Sequence, residues 1–117
     1  MHGAGGWQFN AAAAQAETTP GIALASDTRG EGPFIPVADD GRVIGPPQFP
    51  TTLPPLDELI GIDGLDAQNV HAHLLGLTAA SGRDQVYTLH AELEGMKLMP
   101  LFERLLQGWH AQGHQLV

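Results

Sequence analysis

Most of the nine Pro fall between Gly30 and Pro55, and that stretch limits what the chain can fold into more than any other feature. Pro donates no backbone hydrogen bond and fixes its own φ, so no helix interior or central strand runs through Pro33, Pro36, Pro46, Pro47 or Pro50. The stretch therefore reads as loop or sheet edge, with Asp39-Asp40-Gly41 as a turn and Gly45-Pro46-Pro47 as a second break. Gln48 to Leu53 offers a short strand, which Pro50 restricts to an edge or an irregular position. Long ordered loops of this kind often carry function. Regular structure must come from the flanks.

On the N-terminal flank, Ala11 to Glu17 is a helix by propensity, closed by Thr18-Thr19-Pro20-Gly21. Ile22-Ala23-Leu24-Ala25 is a brief apolar run ending at Ser26-Asp27, the pattern of a buried strand that delivers a polar group, which suggests βα organisation. On the C-terminal flank, Asp57-Glu58-Leu59-Ile60 starts a helical turn with acids at its positive end, stopped by Gly61 and Gly64. Asp66 can cap a following helix whose Val70, Leu74, Leu75 and Leu77 lie on one side. Ser81-Gly82-Arg83-Asp84 turns the chain into Val86-Tyr87-Thr88-Leu89, a β-branched, aromatic and aliphatic run that reads as a buried strand. After Gly95, Leu98, Leu101, Phe102, Leu105, Leu106 and Trp109 recur at three and four, so a helix runs here until Gly113. Gln115-Leu116-Val117 reads as the start of another strand.

The chemistry concentrates where the Val86 strand ends. If the extended period of two persists, His90, Glu92 and Glu94 project to one face, as at an active site on the C-terminal edge of a parallel sheet. Spacing alone leaves open a hydrogen-bonded His beside two solvated Glu. The other His give little support for a metal site. His71 and His73 point about 200° apart on a helix, and His110 and His114 straddle Gly113, where a helix C-terminus favours surface imidazoles.

At 117 residues and 43% hydrophobic content, the chain has the composition of one small globular unit or part of a larger one. A formal net charge of -8 opposes binding to nucleic acid and to an anionic membrane surface. The absence of Cys excludes disulfides and thiolate metal sites. No apolar run approaches the roughly 20 residues that span a bilayer, and no signal-peptide pattern opens the chain, so it reads as soluble and cytosolic. Met1 to Trp7 is a poor beginning for a domain, and the expectation is a fragment.

Tyr87-Thr88-Leu89-His90-Ala91-Glu92-Leu93-Glu94-Gly95 resembles the final motif of the formamido-arabinose-phosphoundecaprenol deformylases, of the polysaccharide deacetylase superfamily and its chitooligosaccharide-deacetylase type. Further matches come in the family's order: Gly5-Gly6-Trp7, then Ser26-Asp27-Thr28-Arg29-Gly30 with Pro33-Phe34, then Gln48-Phe49-Pro50-Thr51-Thr52-Leu53-Pro54 and Asp57-Glu58-Leu59-Ile60-Gly61. The resemblance runs through essentially the whole chain but covers only the later part of the family's domain. It implies that residues 1–117 are the C-terminal portion of one catalytic domain with no second domain, an incomplete part of a distorted α/β barrel.

The resemblance also implies roles. His90 matches the general acid that protonates the leaving amine, and Asp27 the carboxylate that favours the protonated imidazole. Trp7, Arg29, Glu92 and Glu94 fall to substrate binding. The family's divalent metal, zinc or similar, is held by an Asp and two His from motifs that precede Met1, so no metal ligand is expected in this chain. The implied substrate is an amino sugar linked to undecaprenyl phosphate, reached by peripheral association with the cytoplasmic face of the bacterial inner membrane, in a lipid A modification that confers resistance to cationic peptides. Sugar N-deacetylation, or a non-catalytic binding module on the same fold, are the alternatives. Gln8 and Asn10 depart from the Arg and Asp that some family members carry after the Trp.

Overall fold

The computed structural model describes residues 1–18 and 21–117, so Thr19 and Pro20 of the expected helix stop lie outside the described residues. The chain divides into two compact units, Met1–Thr52 and Leu53–Val117.

In the first unit, a 3-10 turn over Gly5–Trp7 is followed by helix α1, Ala11–Ala16. Asn10 caps α1, its side-chain oxygen accepting the Ala13 N–H at 2.9 Å, which gives the departure at this position a structural task. The expected strand at Ile22–Ala25 reduces to a single residue. Ala25 is bridged in parallel to His2 on one side and Gln48 on the other, and Phe34 bridges Gln48 in antiparallel sense. Backbone bonds run from Ser26 N to the His2 carbonyl (2.9 Å), from Ala25 N to Pro47 (3.0 Å) and from Phe49 N to Ala25 (2.7 Å). No ladder extends from them, because Pro46, Pro47 and Pro50 have no N–H to offer. Val37 and Val43 bridge across the turn at Asp39-Asp40-Gly41, where Gly41 takes φ of 81°. Gly45 lies against α1: a Cβ there would stand 2.7 Å from the Ala14 carbonyl oxygen.

The second unit is built on helices. Helix α2 spans Leu56–Leu59 with Asp57 and Glu58 in its first turn, α3 spans Val70–Ala79 and α4 spans Met99–Ala111. Asp66 caps the turn that leads into α3, its Oδ1 accepting from the N–H groups of Gln68 (2.7 Å) and Asn69 (3.1 Å). Leu101, Leu105 and Trp109 of α4 pack with Leu53, Leu56, Val70 and Leu74 into one apolar core. Gly108 admits the Leu75 side chain of α3, since a Cβ there would meet Leu75 Cδ1 at 2.5 Å. Helix α4 ends with Gly113 N–H bonded to the His110 carbonyl and His114 N–H to that of Trp109, the paired bonds of a left-handed glycine stop.

Three expectations are corrected in this unit. Leu77 is exposed, and the buried stripe of α3 is Val70, Leu74 and Thr78. Thr78 tolerates burial because its hydroxyl bonds the Leu75 carbonyl at 3.2 Å and Gln112 Oε1 at 2.6 Å. Val86–Leu89 is not a strand: Leu53 N–H bonds the Val86 carbonyl at 3.2 Å, but no bridge is formed there. Gln115 to Val117 likewise carry no assigned secondary structure. Among the described residues there are helices and isolated bridges but no named strand, and no barrel is seen.

Candidate active site

The period of two that would align His90, Glu92 and Glu94 breaks at His90. The His90 carbonyl accepts from the N–H groups of both Leu93 (2.9 Å) and Glu94 (3.0 Å), which turns the chain out of its extended course, and the Leu98 N–H bonded to the Leu93 carbonyl at 2.7 Å closes a π-helical turn over Leu93–Lys97. Glu92 is left exposed while Glu94 is fully buried. The Glu94 carboxylate turns back on the segment before it: Oε1 accepts the Tyr87 hydroxyl at 2.6 Å and Oε2 the His90 backbone N–H at 2.9 Å. This is the reach-back of a capping box with one more residue in the loop. Glu94 therefore does not share a substrate-facing surface with Glu92; it fixes the backbone that carries His90. Burial first, and the Glu94 carboxylate second, push the Tyr87 phenol up and keep it a donor. The Tyr87 ring is anchored in turn on Trp109, with centroids 5.3 Å apart. Asp57, from the first turn of α2, places Oδ1 3.7 Å from His90 Nδ1.

In the first unit the central group is Asp27, fully buried among donors. Its Oδ1 accepts the Ala4 N–H at 2.7 Å and lies 2.9 Å from His2 Nδ1, while Oδ2 accepts the Gln48 amide at 2.9 Å. Gln48 Oε1 completes the exchange by accepting the Asp27 N–H at 3.1 Å. Burial alone would raise the Asp27 carboxyl, but the bonds from Gln48 and Ala4, with Glu17 and His2 beside it, hold it below its ordinary value. Glu17, at the C-terminal end of α1, moves the other way: burial and the neighbouring Asp27 raise its carboxyl, against a smaller opposing effect of His2. His2 Nδ1 lies 2.9 Å from Glu17 Oε1 as well.

Trp7 and Arg29, both expected at the substrate, are brought together. The Arg29 guanidinium stands 3.9 Å from the Trp7 ring centroid, and the indole N–H bonds Thr51 Oγ1 at 3.0 Å. Trp7 holds a left-handed φ of 54°, unusual for a bulky side chain and sustained by these two clamps.

Sequence reasoning missed His2, Glu17, Gln48, Tyr87 and Asp57 as members of these clusters. Gln48, Asp57 and Tyr87 lie within quoted motifs, so a signal existed for them. Nothing in the sequence ties His2 or Glu17 to Asp27, which is 25 residues from His2.

No protein-family model matches the chain. It is 40% identical over 101 residues, 86% of its length, to the probable 4-deoxy-4-formamido-L-arabinose-phosphoundecaprenol deformylase ArnD of Shewanella sediminis. It is 41% identical over 81 residues to the protein of the same description from Wigglesworthia glossinidia brevipalpis. Over the matched residues the chain is similar to these two probable ArnD deformylases. A contiguous match of 101 residues in a chain of 117 necessarily includes both Asp27 and His90. The chain spans less than a third of these relatives' length, the matches covering 31% of the Shewanella protein and 28% of the Wigglesworthia protein. No helix among the described residues is long and apolar enough to cross a membrane.

Proposed function

We propose that this segment supplies the proton donor of a hydrolase that removes the formyl group from undecaprenyl-phosphate-linked 4-formamido-arabinose, within a distorted (β/α) barrel of the polysaccharide deacetylase type. The observation that carries the reading is the 40% identity to a probable deformylase across the residues that hold His90. In the reaction, a water molecule gives up a proton to the base that the family carries in its earlier motifs as its oxygen bonds to the formyl carbon, the carbon–nitrogen bond breaks, the amine nitrogen takes a proton and formate leaves. His90 delivers that proton. Glu94 fixes its backbone and Asp57 faces Nδ1, which leaves Nε2 as the donating nitrogen. Asp27 is the second residue that the resemblance assigns to catalysis, held in the ionised form by the Gln48 amide and the Ala4 N–H, with the His2 imidazole beside it. Trp7, Arg29 and the exposed Glu92 serve the substrate. The enzyme works at the cytoplasmic face of the inner membrane, reaching it through the lipid of its substrate, in lipid A modification.

The family's metal calls for one Asp and two His. Among the described residues no such set converges, the one group of three being His2, Glu17 and Asp27.

Transplanting residues 1–117 into the Shewanella relative, in place of the segment they match, tests the reading. The chimera should release formate from the formamido sugar lipid, and His90→Ala should lower kcat by about 10² to 10⁴ with metal content unchanged. Loss of metal in step with activity would make His90 a ligand and end its assignment as the acid. Turnover of an acetamido but not a formamido substrate would move the activity to deacetylation.

A further inference from the structure

We infer that His2, Glu17 and Asp27 form a binding site for one divalent transition-metal ion, an inference that shares Asp27 with the deformylase reading and rests on the geometry of the three side chains alone. Each of the three offers a ligand atom, and these atoms all lie within 4.8 Å of one another. His2 Nδ1 is 2.9 Å from both Glu17 Oε1 and Asp27 Oδ1. Ligand bonds of about 2.0 to 2.2 Å at right angles separate neighbouring donors by about 3.0 Å, so these spacings match adjacent corners of an octahedron better than a tetrahedron.

The surroundings are those of a held site. Asp27 is fixed by the Ala4 N–H and the Gln48 amide, the kind of outer contact that orients a ligating carboxylate. A second observation is independent of the clustering: Glu17 is 4% exposed, yet its Oε2 is buried without any hydrogen-bond partner. An orphaned buried acceptor costs about 1 to 3 kcal/mol, and an ion beside the carboxylate accounts for it. His2 is 45% exposed in its side chain, so the remaining positions of the ion open to solvent. Two carboxylates balance the charge of a divalent ion. The imidazole selects manganese, iron, cobalt or zinc over calcium and magnesium, which prefer oxygen alone.

Cobalt(II) is the probe, added to the 117-residue chain at neutral pH and followed by equilibrium dialysis, visible absorption and amide NMR. One equivalent should bind with the weak visible bands of octahedral cobalt. The paramagnetic ion should shift or broaden the Ala4 N–H and the Gln48 side-chain amide, both bonded to Asp27. His2→Ala and Glu17→Gln should each weaken binding by more than about tenfold. Failure of the wild-type chain to bind overturns the site. So does binding that leaves the Ala4 and Gln48 signals untouched, a result on the wild-type protein that needs no variant to fold. Unchanged binding in folded Glu17→Gln overturns it too, because chelation by the Met1 amine with His2, or by His110 and His114, would survive that substitution.

Discussion

The two units of this chain are stabilised in opposite ways. The interior of Met1–Thr52 is rich in polar groups: among the described residues Glu17, Asp27, Gln48 and Thr51 are buried beside Ala14, Ala25, Ile44 and the rings of Pro36, Pro46 and Pro50. Leu53–Val117 encloses seven buried apolar side chains from Leu53 to Trp109, and Glu94 and Thr78 are its buried polar exceptions. An apolar interior draws its stability from area, about 25 cal/mol per Å² removed from water, and tolerates imperfect geometry. A polar interior holds only while each donor meets its acceptor, because a buried group left unpaired costs as much as a good bond contributes. The helical unit should therefore respond to lost volume. The bridged unit should respond to lost partners and to protons.

The sharpest test of that contrast is Leu105→Ala. Leu105 is fully buried in the helical core, and the truncation should cost about 2 to 5 kcal/mol, read as a lowered urea midpoint and as lost hydrogen-exchange protection within residues 53–117. Equal loss of protection in residues 1–52 would show that the two interiors do not respond separately. Glu94→Ala probes the polar exception of the same unit. It orphans the Tyr87 hydroxyl and the His90 N–H, and about 3 kcal/mol should be lost. Glu94→Gln keeps an acceptor and should lose about 1 kcal/mol; equal losses for the two would mean that Glu94 acts through shape alone. In the bridged unit, Gly45→Ala meets the Ala14 carbonyl and a left-handed φ of 71°, and should cost about 2 kcal/mol in residues 1–52.

The same contrast decides what could be read from the sequence. The spacing of Leu101, Leu105 and Trp109 gives α4 because an apolar core acts through a period, and a period is local. Asp66 announces its cap for the same reason, whereas Asn10, read only as a departure from the family pattern, is a cap that the structure supplies. The Val86 run carries strand propensity, but propensity supplies no neighbour to pair with, and the chain coils after His90 instead. Leu77 fits the apolar stripe by its type, and Thr78 takes the buried place because Gln112, distant in sequence, satisfies its hydroxyl. At the candidate site His90 and Asp27 stood out by motif. Of the partners that fix them, Glu94 stood out by its spacing from His90, but for a shared face rather than for the bonds it makes, and Gln48 only as the first residue of a later motif. His2 and Glu17 meet Asp27 through long-range pairing alone, which no window of sequence displays.

The smallest effect expected is also the one that separates the two interiors without changing a core residue. Asp27, with its carboxyl held below the ordinary value of 3.8, contributes stability that is present above that value and is lost as pH falls through its lower folded-state value. Glu17, raised above 4.5 by burial and by Asp27, contributes stability that is fully present below 4.5 and is lost as pH rises through its higher folded-state value. Both contributions are in place together only in a mildly acid window between those two ordinary values, so residues 1–52 should be most protected there and should weaken toward neutral pH as Glu17 ionises beside Asp27. Residues 53–117 have no such pair. Their one strongly shifted group, the Tyr87 phenol, is pushed upward and acts only in alkali. Hydrogen exchange in chelator-treated samples from about pH 4 to about pH 8, corrected for intrinsic rates, should show protection falling with pH in the first unit and level in the second. Glu17→Gln, which cannot ionise, should flatten the first unit's response. A decline of equal slope in both units, or one that persists in Glu17→Gln, would assign the pH dependence to the chain's overall charge of -8 rather than to the buried pair.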